Sequence, residues 1–299
     1  MGELSGIVIY ILPVVLVLAF AEGVWMSRVR PGGFDWKAWA CSLGDLAGRW
    51  VVLAGVYALG SPLLAFVWHY RLVDDLKPDS VGTIVLLFFA LEFVYYWYHR
   101  GAHTLRWFWM NHSVHHSPNQ LALSVAYRLG WLGKIGGNMI FFTPLVLLGF
   151  EPKVVLAALS INLLYQFWIH ADWIPKLGWL EYVLNTPSAH RVHHARNPEY
   201  LDANFGGVLI VFDRLFGTYI AERADVPCEY GLVSRVTTHN PILINFMPWI
   251  GLAKDVASAQ SLKEAWMYLF GPPGWRPNGQ GLTTAELRKR YNLAHIAVD

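Results

Sequence analysis

The chain has 299 residues, 55% of them hydrophobic and only 15% charged, with a formal net charge of +2. Soluble domains carry about 25% charged residues, so the balance excludes an ordinary soluble protein. The small charge, without a Lys/Arg run, excludes a nucleic-acid-binding chain. Two cysteines, Cys41 and Cys228, are too few for a disulfide scaffold, a Cys-rich zinc site or an iron–sulfur cluster, and are expected as reduced thiols.

In chain order, apolar stretches approach the ~20 residues needed to span a bilayer at about 5–26, 50–68 and 81–98. A pair follows at about 135–149 and 153–169, separated by Gly149-Phe150-Glu151-Pro152. It reads as a hairpin with short arms, dipping into the bilayer without necessarily crossing it. The first stretch contains Ala19-Phe20-Ala21, a small-x-small pattern, but basic residues follow it instead of preceding it, so it reads as a membrane helix and not a cleaved signal peptide. In the more polar remainder, Pro227–Asn245 and Gly271–Thr283 read as loop-rich, and Leu262–Phe270 and Thr284–Tyr291 as short amphipathic helices. The expected fold is all-α: an integral membrane helical bundle of about 4–5 membrane helices with a cytoplasmic helical cap. It forms a single domain over 1–299, with spans in 1–98, the first histidine clusters in 99–134, the hairpin in 135–169 and the cap in 170–299.

Loop charges orient this bundle. Arg28, Arg30 and Lys37 follow the first span, and an acid-leaning loop with Arg71, Asp74, Asp75, Lys77 and Asp79 follows the second. Arg100, Arg106 and Arg128 follow the third, and Lys176, Arg191, Arg196 and Arg214 follow the hairpin. The positive-inside rule puts the N-terminus outside and residues 27–49, 99–134 and 170–299 in the cytoplasm. An even number of crossings then separates His116 from His190, so both histidine windows are expected on one face.

Those windows carry the chemistry. Eight of the twelve histidines fall in them: His99, His103, His112, His115 and His116 in the first, His190, His193 and His194 in the second. The patterns are H-x-x-x-H, H-x-x-H-H and H-x-x-H-H, and helix positions three and four apart share a face. Clustered neutral imidazoles each want a partner when buried, and a metal supplies one. His170 closes the fifth apolar stretch, either as a ninth ligand or as a helix-end histidine complementing the dipole. His239 is a weaker candidate, His69 falls on the far side of the membrane, and His295 lies in the tail. Eight or nine imidazoles suit two ions better than one, but imidazole accepts Zn, Cu, Fe and Ni alike. Ligating histidines usually donate their other N–H to a carboxylate or carbonyl. Asp172, Asn204 and Asp213, with Glu181 and Asp202, stand near enough in sequence to serve. Trp97, Trp109 and Trp131 read as interfacial anchors in preference to channel lining. No further catalytic side chain and no dinucleotide fingerprint stands out. A zinc hydrolase would want a Glu base, and a haem held by paired histidines leaves the dense spacing unexplained.

The three patterns resemble the histidine boxes of the fatty acid hydroxylase/sterol desaturase superfamily of membrane di-iron oxygenases. Asn185-Thr186-Pro187-Ser188-Ala189-His190-Arg191-Val192-His193-His194, Asn204-Phe205-Gly206-Gly207 and Phe212-Asp213-Arg214-Leu215-Phe216-Gly217-Thr218 extend the likeness around the third box. These stretches are similar to the alkylglycerol monooxygenase-like branch. The likeness covers about 80–299 well and the N-terminal spans only in hydropathy. Ala189 and Phe205 depart from it, where relatives more often carry His and Tyr. The resemblance implies two iron ions held by the histidines, O₂ activation and hydroxylation of a lipid taken from the bilayer. It also implies a separate redox partner or reductant, a reduced pterin in the nearest branch, as external electron donor. A sterol or fatty-acyl desaturase with the same site is the alternative within the family; a membrane zinc hydrolase or a non-enzymatic haem or metal carrier is the alternative outside it.

Overall fold

A computed structural model describes residues 2–291, with side chains described for all of these except 2–10 and 53–61. Four long helices form its frame: α1 (Gly2–Val29), α2 (Trp36–Trp68), α3 (Val81–Thr104) and, after two short ones, α6 (Pro152–Ile169). The short ones are α4 (Arg106–His112) and α5 (Thr143–Leu147); α7 (Pro187–His194), α8 (Val211–Leu215), α9 (Pro241–Ala257), α10 (Leu262–Phe270) and α11 (Thr284–Arg290) follow. Among the described residues extended pairing is limited to two isolated bridges, Leu184 with Leu209 and Ala195 with Tyr230.

Among the described residues, three helical stretches are long and apolar enough to cross a membrane: Ile11–Val29, Val81–Thr104 and Pro152–Ile169. At 1.5 Å per residue the last covers about 27 Å, close to the ~30 Å hydrocarbon core. Val14, Val17, Ile84, Phe89, Ile161 and Leu164 point outward from these helices. Apolar belts of this kind belong to an integral membrane protein, whose solvent there is lipid. The expected stretch at about 50–68 is the C-terminal half of α2.

The expected hairpin is present, with unequal arms. Its first arm, Asn138–Leu147, is a 3₁₀ turn followed by α5, and only the second is a long helix. The first arm starts beside Tyr98, whose hydroxyl accepts from Asn138 Nδ2 at 3.3 Å. It ends against the loop after α2, where Leu72 and Leu76 N–H donate to Leu147 and Gly149 O, each at 2.7 Å. Gly149 has φ +112°, and a Cβ there would lie 2.4 Å from Val73 O, so the turn needs glycine. Pro152 then opens α6 at a position where its missing N–H costs nothing. Leu64, Leu87, Leu91, Val94, Phe142, Leu145, Phe150 and Val155 pack the interior between α2, α3 and the hairpin. Both α3 and α6 therefore leave this end together and finish together at the other, where His99, His103 and His170 sit.

One loop expectation is corrected. The stretch Pro227–Asn245 is loop only as far as Asn240, whose side chain accepts from the N–H groups of Ile242 and Leu243 and starts α9. Pro241 and Pro248 look like breakers in sequence, but the first opens the helix and the second lies inside it. The expected amphipathic helices are α10 and α11, each started by a capping Ser or Thr. Several of the orienting cations have partners inside the protein. Arg128 is buried; its guanidinium donates to Ser42 Oγ (3.0 Å), Ser117 Oγ (3.1 Å) and Ala38 O (2.5 Å). Arg106 pairs with Asp255 and Arg191 with Glu222 (2.7 Å), so three of the counted cations are committed inside the protein.

Trp131 is a buried pin and not an interfacial anchor. Its indole N–H donates to Asp45 O at 2.9 Å and its backbone N–H to Asn245 Oδ1 at 2.8 Å, joining α2 to α9. The ring lies on Gly48, where a Cβ would come within 2.1 Å of it. Gly48→Ala is expected to cost about 1–3 kcal/mol by overpacking, read as a lower thermal midpoint in detergent.

Candidate metal centre

The first window folds as the end of a membrane helix followed by a tight return. His99 and His103 are one turn apart on α3; Leu105 is extended and ends that helix, and α4 delivers His112. His115 and His116 follow in a turn whose N–H groups return to His112 O. The second window is α7, started by Thr186 Oγ1 accepting from Ala189 N–H, with Pro187 in its first turn. Its helical period puts His190, His193 and His194 on the side facing α3 and α6.

The nine imidazoles assemble as two adjoining nests. His99, His103, His112, His116 and His193 bring one nitrogen each to within 4.8 Å of one another, as do His115, His170, His190 and His194. His170, ambiguous in sequence, stands inside the second nest. The nests touch through His116 and His194, whose rings stack at 4.3 Å between centroids.

The hydrogen bonds decide what such a nest can hold. His99, His115, His170 and His193 each direct Nδ1 at a main-chain carbonyl: Phe205 O (2.8 Å), Arg128 O (3.1 Å), Gln166 O (2.7 Å) and Ala203 O (2.9 Å). A carbonyl only accepts, so each Nδ1 carries the proton and each Nε2 is a bare lone pair. Yet Nε2 of His115 and His170 face each other at 3.3 Å. His170–His190 and His190–His194 follow at 3.1 Å, and His99–His112 at 3.0 Å. The Nε2 atoms of His103 and His193 are buried with no partner at all. Converging lone pairs repel, and buried unpaired acceptors are costly; a cation among them removes both penalties. The residues therefore fit a metal centre of neutral nitrogen donors.

Burial holds the His112, His116, His170, His190, His193 and His194 imidazoles well below their ordinary range, helped by repulsion from neighbouring rings. His115 is pushed down to about 4 by the same burial. The unfolded chain takes up protons below about 6.5 while the folded nest resists, so stability falls as pH drops through that window. Metal-free protein is expected to lose thermal stability between pH ~6.5 and ~4, and a flat melting profile there would contradict the buried neutral nests.

The acid and amide candidates stand behind the histidines, not against them. Asp213 is fully buried; its carboxylate accepts from Phe205 and Gly206 N–H and Thr218 Oγ1, each at 2.7 Å. It thereby fixes the loop whose Phe205 carbonyl orients His99. Burial pushes its carboxyl up to about 6 against those three donors. Asn204 (φ +58°) bridges Ala189 O and Ile220, and Asp172 binds Arg30 (2.8 Å) and Tyr230 (2.5 Å); neither takes a histidine N–H. Glu181 accepts from Thr186 Oγ1 at 2.6 Å behind α7. Asp202 alone of these approaches a ring, that of His103. His239 lies apart beside Asp35, His69 caps α2, and His295 is outside the described residues.

Sequence reasoning passed over Glu92. Its carboxylate accepts from Val208 N–H (2.9 Å), Leu209 N–H (2.8 Å) and Asn162, tying α3 and α6 to the same loop. A lone acid inside an apolar span was the available signal. Trp109, expected as an anchor, stands 5.1 Å from the His103 ring. With His116, His193 and His194 it lines a cavity of about 660 Å³, whose wall also includes Pro272–Gly274 and residues of α11.

Apolar membrane-length helices ending on two imidazole nests define a membrane protein with a histidine-rich metal site. Residues 84–218, which contain both windows, match the fatty acid hydroxylase family model. It is 40% identical over 221 residues to the alkylglycerol monooxygenase of Homo sapiens, covering 74% of this chain and 49% of that protein. The Xenopus tropicalis alkylglycerol monooxygenase is 38% identical, covering 71% and 47%. Ornithine lipid hydroxylase OlsE of Rhizobium tropici is 26% identical, covering 60% and 54%. The chain spans about half the length of the curated relatives it matches. No solved structure matches it significantly.

Proposed function

We propose that this chain is an O₂-dependent lipid hydroxylase, a monooxygenase whose nine clustered histidines hold two iron ions. The observation that carries the reading is the paired nests of Nε2 lone pairs, each sized for one ion and sharing a wall. The likeness to alkylglycerol monooxygenases and to an ornithine lipid hydroxylase supports iron and a lipid substrate. When bound, the metal pair supplies O₂ activation and cleavage of an unreactive C–H bond. The chain's own residues do the rest. Main-chain carbonyls of Phe205, Arg128, Ala203 and Gln166 hold four rings in one tautomer and orientation. Burial of every clustered histidine but the half-buried His112 keeps bulk water from the reacting atoms. The apolar faces of α3 and α6 lead a lipid toward the same end.

In this reading the N-terminus lies outside, the nests lie at the cytoplasmic face under a cap formed by 170–299, and α2 and the hairpin complete a bundle of 4–5 membrane helices. Electrons come from an external donor, either a redox protein or a small reductant. The test is anaerobic purification with metal quantification, then comparison of lipids from cells with and without the protein. Two irons per chain and lipids heavier by one oxygen, formed only with O₂, support the reading. Loss of two hydrogens instead marks a desaturase, and turnover without O₂ overturns both.

A further inference from the structure

We infer that Asp202 is a positioning residue that makes the two nests unequal, by placing a negative charge behind His103 in the five-histidine nest; this rests on the reading of the clustered histidines as iron ligands. Four of the rings are steered by neutral carbonyls, as described above. His103 is different. Its Nε2 is buried and unpartnered, facing the nest, while its Nδ1 lies 3.6 Å from Asp202 Oδ1. Among the described residues Asp202 is the one carboxylate within 4.0 Å of a clustered histidine.

The aspartate is held in place for this. It sits at φ +53°, a left-handed conformation uncommon outside glycine, next but one to Asn204 at φ +58°. Its second oxygen accepts from Thr284 Oγ1 at 2.5 Å. Thr284 opens α11, and that helix is tied back to the same loop by Arg288, which donates to Leu201 O (2.7 Å) and Pro198 O (3.3 Å). The C-terminal helix thus locks the carboxylate against the cavity wall.

At 3.6 Å the two atoms lie beyond hydrogen-bonding distance, so the carboxylate acts on the ring through its charge. A carboxylate behind a ligating imidazole raises the basicity of the nitrogen that faces the metal. Among the described residues, the nest of His115, His170, His190 and His194 has main-chain carbonyls of Arg128, Val125 and Gln166 behind it and no carboxylate within 4.0 Å. The five-histidine position is therefore the stronger donor set and the tighter of the two.

Asp202→Asn tests this in the full-length, iron-loaded protein. Asparagine tolerates the left-handed backbone and still offers an acceptor to Thr284, but carries no charge. Iron release to a chelator and Mössbauer spectra are recorded for parent and variant. The parent is expected to release its two irons at unequal rates. In Asp202→Asn, affinity at the slower position is expected to fall by about 10–100-fold, with one Mössbauer component displaced and the other unchanged. Thr284→Val, which keeps the shape and removes only the hydroxyl, is expected to move the same component by less, and carries the test if the first variant does not fold. Unchanged release and spectra in both variants, or equal changes at both irons, overturn the assignment. A parent that binds no iron through its histidines overturns the underlying reading instead.

Discussion

His193→Ala is expected to abolish lipid product and to empty the five-histidine nest of metal. Its ring packs at 4.4–4.8 Å from those of His99, His103 and His116, more of the nest than a peripheral ligand would meet. The diagnostic feature is how the loss divides between metal-loaded and metal-free protein. A ligand present at about 1,000 times its Kd adds about 4.1 kcal/mol to stability, and the variant forfeits that contribution at one position. Without metal, the same substitution also removes one of the converging lone pairs, so the metal-free midpoint should move by only a few degrees. His115→Ala should act alike from the other nest. Melting curves with and without iron, beside metal content and product formation, read all three effects. Full O₂-dependent activity with both histidines replaced would refute the assignment.

Asp213→Ala is expected to cause the largest loss of stability among substitutions away from the histidines. It leaves the N–H groups of Phe205 and Gly206 buried with no acceptor, and Gly206 leaves no room for rearrangement, since a Cβ there would already meet Leu209 O at 2.2 Å. At about 1–3 kcal/mol for each orphaned donor, the loss is roughly 2–6 kcal/mol. Asp213→Asn keeps one acceptor oxygen and should lose about half as much. Because the same loop carries the carbonyl that orients His99, the alanine variant should also bind iron more weakly. Denaturation in detergent together with metal content checks the pair; an Asp213→Ala protein as stable as the parent would show the loop to be held by other contacts.

The histidine windows were readable in the sequence because residue type and helical period both survive translation into structure. The same holds for the apolar stretches, the turn at Gly149–Pro152 and the two amphipathic helices. What escaped was decided by the path of the backbone. Which carbonyl meets which Nδ1 depends on where residues 203–205 run, and nothing in the side chains of Ala203 or Phe205 announces it. Arg128 reads as a loop cation until its donors are traced to Ser42, Ser117 and Ala38 across the interior. Asp172 and Asn204 stand near the clusters in sequence, yet their hydrogen bonds go to other groups than the imidazoles. His170 could not be resolved by spacing because it comes from a different helix and has no histidine neighbour in the chain.

The nests draw on three separated segments, and a ribosome makes these in order. When α3 and the turn after it have emerged, four of five donors of one nest exist but only His115 of the other; α6 then adds His170. The final donors of both arrive together on a single eight-residue helix, α7. Domains form from the N-terminus during synthesis, so neither position can close until that late segment docks. The last window thus acts as a checkpoint on assembly, denying a full coordination sphere to a nascent chain that has not yet brought its distant parts together.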